Sequence, residues 1–193
     1  MARFLIIYAH PNHDGYHAYF LNQAIADLER RGIAYQLIDL YAINYDPVLK
    51  NDELYSAGRR AISEQNQAFQ KQVIEADRLL FIYPTWWNNL PAILKGWLDR
   101  VFVSRFGFIY KLGIPVGQLH GKKAAIFTAR GAPRWYSLLW THERSLRALS
   151  HDVLRFCGMS TRGFRFGSTR TLDDRGRRKI AKIAARTIRY LVA

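Results

Sequence analysis

Two aromatic-rich stretches hold the residue types that can do chemistry. In "YPTWWNNLP" (83–91), Trp86 and Trp87 stand next to Asn88 and Asn89; in "TARGAPRWYSLLWTHE" (128–143), Tyr136 and His142 lie six residues apart. Aromatic faces beside backbone amides and Asn side chains suit a flat heteroaromatic ligand that needs apolar walls and a few edge hydrogen bonds. A Tyr hydroxyl and an imidazole stabilise negative charge developing on a ring oxygen and exchange protons near neutral pH. On residue types alone, core or interface packing explains the tryptophans equally well, and a satisfied surface pair explains Tyr136 and His142.

A third stretch, "HPNHDGYHAYF" (10–20), combines three histidines with a loop that runs into a helix. A helix amino terminus offers unpaired amides and the positive end of the helix dipole, which suits a phosphate. His10, His13 and His17 are available as charge-assisted donors. The stretch has neither the glycine spacing and lysine of a Walker motif nor a GxGxxG. Three histidines within eight residues also suggest a metal, but their spacing falls mostly in a turn and no second ligand cluster follows, so no metal is expected.

These residues need elements to hold them. "FLIIYA" (4–9) is a continuous apolar run that ends in the histidine loop, as a buried parallel strand does. Phe20, Leu21, Ala24, Ile25 and Leu28 then share one helical face, with Gly32 as the stop. "IAYQLIDL" (33–40) predicts a second strand, followed by an irregular "YAINYDPVLKNDE" and a polar helix from about 63 to 75. "RLLFIY" (78–83) is the third strand. Pro91 fits the first turn of the next helix, whose core face is Ile93, Leu94, Trp97, Leu98 and Val101, so "PTWWNNL" is a loop at a strand's carboxyl end. "AAIFTA" (124–129) is a fourth strand, and a mixed helical region carries Leu146, Leu149, Val153 and Leu154. "GFRFGS" (163–168) is a weaker fifth strand, and a basic helix closes the chain. This alternation predicts an α/β fold: a doubly wound parallel sheet of five strands in the flavodoxin-like order 2-1-3-4-5, with helices on both faces. Ligands of such sheets bind beyond the carboxyl ends of the strands, at the switch point beside strands one and three.

Composition bounds the rest. With 193 residues, 49% of them hydrophobic, the chain supports one well-buried core, and a single domain over residues 1–193 is expected. No signal segment or membrane-length apolar run is evident, so a cytoplasmic location is expected. The lone Cys157 reads as a buried small hydrophobe. The net charge is +14, and between Thr161 and Ala193 ten Lys or Arg face two Asp. Ile180, Ile183, Ala184, Ile188 and Leu191 recur at helical spacing there, so the charges read as the outer face of a packed helix ahead of a nucleic-acid surface.

The motifs "AHP", "LYAINYDP", "YPTWWNNLPAILKGWLDRVF", "TARGAPRWYSLLWTH" and "FCGM" occur in the order and spacing of the NAD(P)H:quinone oxidoreductases, the DT-diaphorase-like branch of flavodoxin-fold flavoenzymes, which the chain resembles over about residues 3 to 160. The resemblance implies a flavin at the sheet's carboxyl edge. His10, Tyr16 and His17 would hold its phosphate, Pro84, Thr85, Trp86, Trp87 and Asn88 would run along the ring, and Thr128, Ala129, Arg130 and Gly131 would close the other side. Tyr136 and His142 match the family's pair that stabilises the reduced ring during hydride transfer. FMN is expected, with FAD close behind it, together with NAD(P)H as co-substrate, a quinone-like acceptor and a homodimer. Other members of the fold serve as accessory subunits of potassium efflux transporters, which makes a transporter partner the alternative.

The chain departs from the family pattern in two places. Gly15 and His17 replace a small hydroxyl residue and an Asn in the phosphate loop, with Asp14 beside them. Arg130 replaces the first glycine of a Gly-Gly pair, either narrowing the substrate pocket or placing a positive charge near the flavin.

Overall fold

The computed structural model describes residues 3–54, 61–132, 134–167 and 172–193. Five parallel strands form the central sheet: β1 (Phe4–Tyr8), β2 (Tyr35–Asp39), β3 (Arg78–Pro84), β6 (Lys123–Ala129) and β7 (Ser160–Phe166). Their order is β2-β1-β3-β6-β7, which is the expected 2-1-3-4-5 order once β6 and β7 are counted as the fourth and fifth strands. β7 begins three residues before the expected "GFRFGS"; Ser168, the last residue of that stretch, lies outside the described residues. A two-stranded antiparallel hairpin, β4 (Phe108–Lys111) and β5 (Ile114–Gly117), stands apart from the sheet and was not expected.

The helices are α1 (Tyr16–Arg30), α2 (Glu64–Glu75), α3 (Ala92–Val101), the short α4 (Arg134–Leu139) and α5 (Arg144–Arg147), and α6 (Asp174–Val192). α5 continues into a π-helical stretch, Ala148–Arg155. Burial divides them by face. Alternate strand residues Phe4, Ile6, Tyr8, Leu80, Ile82, Ala125 and Phe127 pack with Phe20, Leu21, Ala24 and Leu28 of α1 and Ile180, Ala184, Ile188 and Leu191 of α6. The other alternates, Leu5, Ile7, Leu79, Phe81, Tyr83, Ala124 and Ile126, pack with α2, α3 and the α5 region. β1 and β3 are buried on both faces, which is why they read as unbroken apolar runs rather than alternating ones.

One cap was not foreseen, one expected stop holds, and one boundary shifts. Ser63 caps α2, its Oγ accepting from the Asn66 amide. Gly32 ends α1 at φ +63, where a side chain is strained. Pro91 is the residue before α3 rather than inside its first turn.

The segment after β2 docks on α3 through a close approach. A Cβ on Gly96 would lie 2.1 Å from the Pro47 carbonyl oxygen, so only glycine lets "YDP" touch the helix. One turn further, Arg100 donates to both carboxylate oxygens of Glu53, at 2.7 and 2.8 Å, and to the Asp46 carbonyl. Much of the motif pair "LYAINYDP" and "LKGWLDRVF" is therefore a docking device that steadies the helix behind the Trp86–Trp87 loop. Cys157 is buried, and burial pushes its thiol up to about 11.

Candidate functional site

The carboxyl edge of β1, β3 and β6 carries the three chemistry-bearing stretches. β1 ends in a loop tied down by its own side chains. Tyr8, its phenol held well above its usual range by burial and by Asp39, donates to the Asn12 carbonyl at 3.0 Å. Asn12 Oδ1 accepts from the Asp14 amide at 2.7 Å. α1 then starts after Gly15 with no side-chain cap and no acidic residue in its first turn, which leaves the dipole end suited to an anion.

The three histidines of that loop have three different fates. His13 Nε2 lies 2.6 Å from Asp39 Oδ2. His10 Nδ1 lies 3.0 Å from both the amide nitrogen and the carbonyl oxygen of Asn12, and burial lowers its pKa. His17 is turned inward, 6% exposed, stacked on His10 at 4.7 Å and set edge-on to Phe127. Burial first, then neighbouring His10, bring its pKa down to about 3. His17 is thus a neutral ring at physiological pH rather than the charge-assisted donor its residue type suggests, and its Nε2 has no hydrogen-bond partner among the described residues. Tyr16 turns toward the far side of α1, its ring 5.3 Å from Phe166.

After β3 the chain makes a two-residue reversal. The amide of Trp86 donates to the Asn89 carbonyl and the amide of Asn89 to the Trp86 carbonyl, at 3.2 and 2.9 Å. Trp87 and Asn88 sit between them at φ +50 and +57. Such a turn needs two left-handed residues, and tryptophan is an unfavourable choice there. The outcome is a Trp87 ring 99% exposed at the tip, while Trp86 is half-covered and 6.0 Å from His10. Pro84 is buried at the strand end. Thr85 is joined to β6 twice, by its amide to the Ala129 carbonyl at 3.0 Å and by its hydroxyl to that of Thr128 at 2.7 Å.

Beyond Ala129, the side chain of Arg130 turns inward, 8% exposed, on the face that carries Tyr83. It forms no ion pair among the described residues, and its Nη2 lacks a partner. Gly131 is exposed, with open space where a Cβ would stand. Tyr136, on α4, stacks against Trp140 with rings nearly parallel and 6.2 Å apart. His142 is exposed at φ +47 in the turn that follows. No hydrogen bond or ring contact joins Tyr136 to His142 among the described residues.

The structure therefore brings His10, His17 and Trp86 together on one side and joins Thr85 to Thr128 and Ala129 on the other. Trp87 is exposed at the tip of its turn, and Tyr136 and His142 are exposed on the segment after β6, apart from the residues so gathered. Residue reasoning missed the Asp39 partner of His13, although the 2-1 strand order sets Asp39 beside Tyr8 and could have revealed it. It also missed buried Glu143, which pairs with Arg165 of β7. Among the described residues, no three His, Cys, Asp or Glu gather as a metal site, and no helix is long and apolar enough to cross a membrane.

Residues 2–190 match a family described by its flavodoxin-like fold. Over 184 residues the chain is 32% identical to a Haemophilus influenzae protein described as an uncharacterized NAD(P)H oxidoreductase, covering 94% of this chain and 91% of that one. It is 33% identical over 175 residues to human ribosyldihydronicotinamide dehydrogenase (quinone), across 80% of this chain and 76% of the relative. The solved NAD(P)H:quinone oxidoreductase from Methanothermobacter marburgensis superposes with a TM-score of 0.85 at 26% identity, over 100% of this chain and 98% of that one. The chain belongs to the family of the flavodoxin-like fold and, within it, to the NAD(P)H:quinone oxidoreductases.

Proposed function

We propose that this protein is a flavin-dependent oxidoreductase that passes hydride from NAD(P)H to a quinone or a similar electron-poor acceptor, with residues 1–193 as one flavin-binding domain in the cytoplasm. One observation carries the reading: the uncapped first turn of α1, the Trp86–Asn89 turn and the Thr128–Gly131 segment converge at the switch point of the sheet. The residues fit the group, because two buried polar atoms without partners, His17 Nε2 and Arg130 Nη2, belong to that edge.

A bound flavin supplies the hydride relay between donor and acceptor, and the protein supplies position and electrostatics. His10 and His17 frame the phosphate end, where the amides of the first helical turn, that of Tyr16 among them, do most of the binding and a neutral His17 ring adds an uncharged hydrogen bond. Pro84, Thr85, Trp86, Trp87 and Asn88 flank the ring on the β3 side, and Thr128, Ala129, Arg130 and Gly131 on the β6 side. Arg130 faces inward, so it does not narrow the substrate pocket; it sets an uncompensated cation beside the ring. Tyr136 and His142 at the rim hold and move the proton that accompanies the charge change.

FMN suits the compact phosphate loop, with FAD the second choice. Trp87, on the turn after β3, and Trp135, Leu139 and Trp140, on the segment after β6, expose 99, 59, 64 and 65% of their surface, apolar area that a second copy would cover in a homodimer. The oxidoreductase relatives lend the transporter-accessory alternative no support.

The test is the visible absorbance of the purified protein with FMN or FAD added, then anaerobic NADH and NADPH. Oxidised-flavin bands that bleach with one nicotinamide support the reading and identify the donor. A protein that binds neither flavin overturns it.

A further inference from the structure

The outer side of α6 faces the free edge of the sheet across two hollows of about 370 and 460 Å³. Arg186 lines both, so the two hollows adjoin at that residue as a groove in two parts. Lys179, Lys182, Arg186 and Arg189 project into it from one stripe of the helix, and Arg162 projects from β7. All five are exposed, and none is in an ion pair among the described residues. The groove's other arginine, Arg165, is held by Glu143. Among the described residues, no acidic side chain lines either hollow.

The groove also has aromatic walls. Phe164, Phe166 and Tyr190 are half-buried along it, and the Arg162 guanidinium lies over both Phe164 and Tyr190, at 5.6 and 5.7 Å. A diffuse positive field that merely attracts anionic substrates needs neither a groove nor rings between the charges.

We propose that this groove binds single-stranded nucleic acid, with the five cations on phosphates and the ring-and-guanidinium wall under the bases. Unpaired cations interleaved with aromatic rings are the chemistry that recognises an extended strand without sequence preference. The stripe from Lys179 to Tyr190 is about 16 Å long at the helical rise, room for a few nucleotides. Each hollow has the volume of a small-ligand pocket, enough for a nucleotide-sized group. A membrane surface fits less well. An interfacial helix must offer an apolar face to the bilayer, and Ile180, Ala184, Ile188 and Leu191 of α6 are all buried in the core. The site is independent of the flavin reading and does not require it.

The experiment measures anisotropy of labelled 12-nucleotide single-stranded RNA and DNA, and of a duplex, between 50 and 200 mM salt, each concentration being about the range over which counterion release is resolved. Five phosphate contacts predict a log–log salt slope of about −3.5 for a single strand. The triple variant Lys179→Glu, Lys182→Glu, Arg186→Glu should lose at least about tenfold in affinity and flatten the slope by about 2. A control of equal charge change, Lys71→Glu, Lys111→Glu, Arg147→Glu, lies off the groove and should bind nearly as the parent does. Tyr190→Leu should weaken binding by about fivefold or more without changing the slope. Thermal melts confirm that each variant is folded, and the charge variants decide the matter if Tyr190→Leu is not. Oligonucleotide binding that survives the triple variant, that the control loses equally, that prefers duplex, or that is absent while phosphatidylglycerol vesicles bind would each overturn the proposal.

Discussion

Arg100 and Arg130 are both 8% exposed, yet the fold treats them in opposite ways. Arg100 sits on α3, behind the site, and every element around it answers its charge: Glu53 accepts two hydrogen bonds and the Asp46 carbonyl a third. Burial raises the Glu53 pKa, and the Arg100 hydrogen bonds, the Lys50 amide and the charges of Arg100 and Lys50 together outweigh this and hold the carboxyl below its usual range. Arg130 sits at the strand edge among the site residues and has no such company. A buried cation without a counter-charge is expensive. Where the sheet must only be held together, charge is compensated from within; where a ligand is to arrive, a charge is left open. His17 shows a third treatment, since burial simply removes its charge.

The largest effect should come from unmaking the compensated pair. Arg100→Met leaves the partly buried Glu53 with the Lys50 amide as its remaining donor and should destabilise the protein by about 2–3 kcal/mol, toward the lower end of what breaking a buried pair costs. Adding Glu53→Gln to the same chain should recover most of that loss, because the penalty lies in the stranded charge rather than in the missing attraction. Urea unfolding of the single and double variants measures both. A double variant as unstable as the single would show that the pair's geometry, and not its charge balance, holds residues 46–53 to α3.

The exposed pair should show the reverse pattern. Tyr136→Phe or His142→Gln should lower turnover by about 100-fold or more while flavin stays bound and the melting temperature stays put. Stopped-flow hydride transfer is the readout, and an unchanged rate would remove both residues from the proton handling.

How much of this was visible in the chain depended on whether the deciding contact is local. The parallel sheet followed from apolar runs separated by amphipathic helices, because the central strands β1, β3 and β6 are buried on two faces and leave that pattern; the edge strand β7, half-buried, read as the weaker one. The β4–β5 hairpin left no such trace. Tyr110, Lys111 and Ile114 are exposed, so no burial period marks its strands, and its turn places Leu112 and Gly113 at φ +52 and +80, with leucine where a turn former would be looked for. The Arg100–Glu53 pair spans 47 positions and has no spacing signature. Arg130 stood out only as a departure from the relatives. The histidine loop misled in one respect: residue type suggested three donors, but His17 falls on the inward side of α1 one turn before Phe20, a position its helical register would have disclosed.

His17 gives a smaller, pH-dependent effect. Its folded pKa, about 3, lies below the unfolded value, so below about pH 6.5 the unfolded chain binds a proton that the folded one refuses. The stability this contributes is complete above about pH 6.5 and is lost as the pH falls toward the folded value, by up to about 1.4 kcal/mol per unit. His17→Asn should remove that slope. The difference in unfolding free energy between parent and variant, followed from about pH 6.5 to 4.5, isolates it from carboxylates common to both chains. Parallel curves would mean that His17 is not neutralised by burial.

The smallest change in stability, and the one with the unusual sign, is expected at Arg130. Arg130→Met keeps the length of the stem and removes a charge that no side chain answers, so folding should be unaffected or favoured by about 1 kcal/mol. Binding should suffer instead. If the guanidinium waits for negative charge on a bound ring, the variant should hold reduced flavin several-fold more weakly than the parent and shift the flavin midpoint potential downward, because the oxidised ring carries no charge to lose. Spectroelectrochemical titration of parent and variant reads the shift directly. A variant destabilised to the degree expected of Arg100→Met would mean that Arg130 has its counter-charge inside the fold, and the two arginines would then be alike after all.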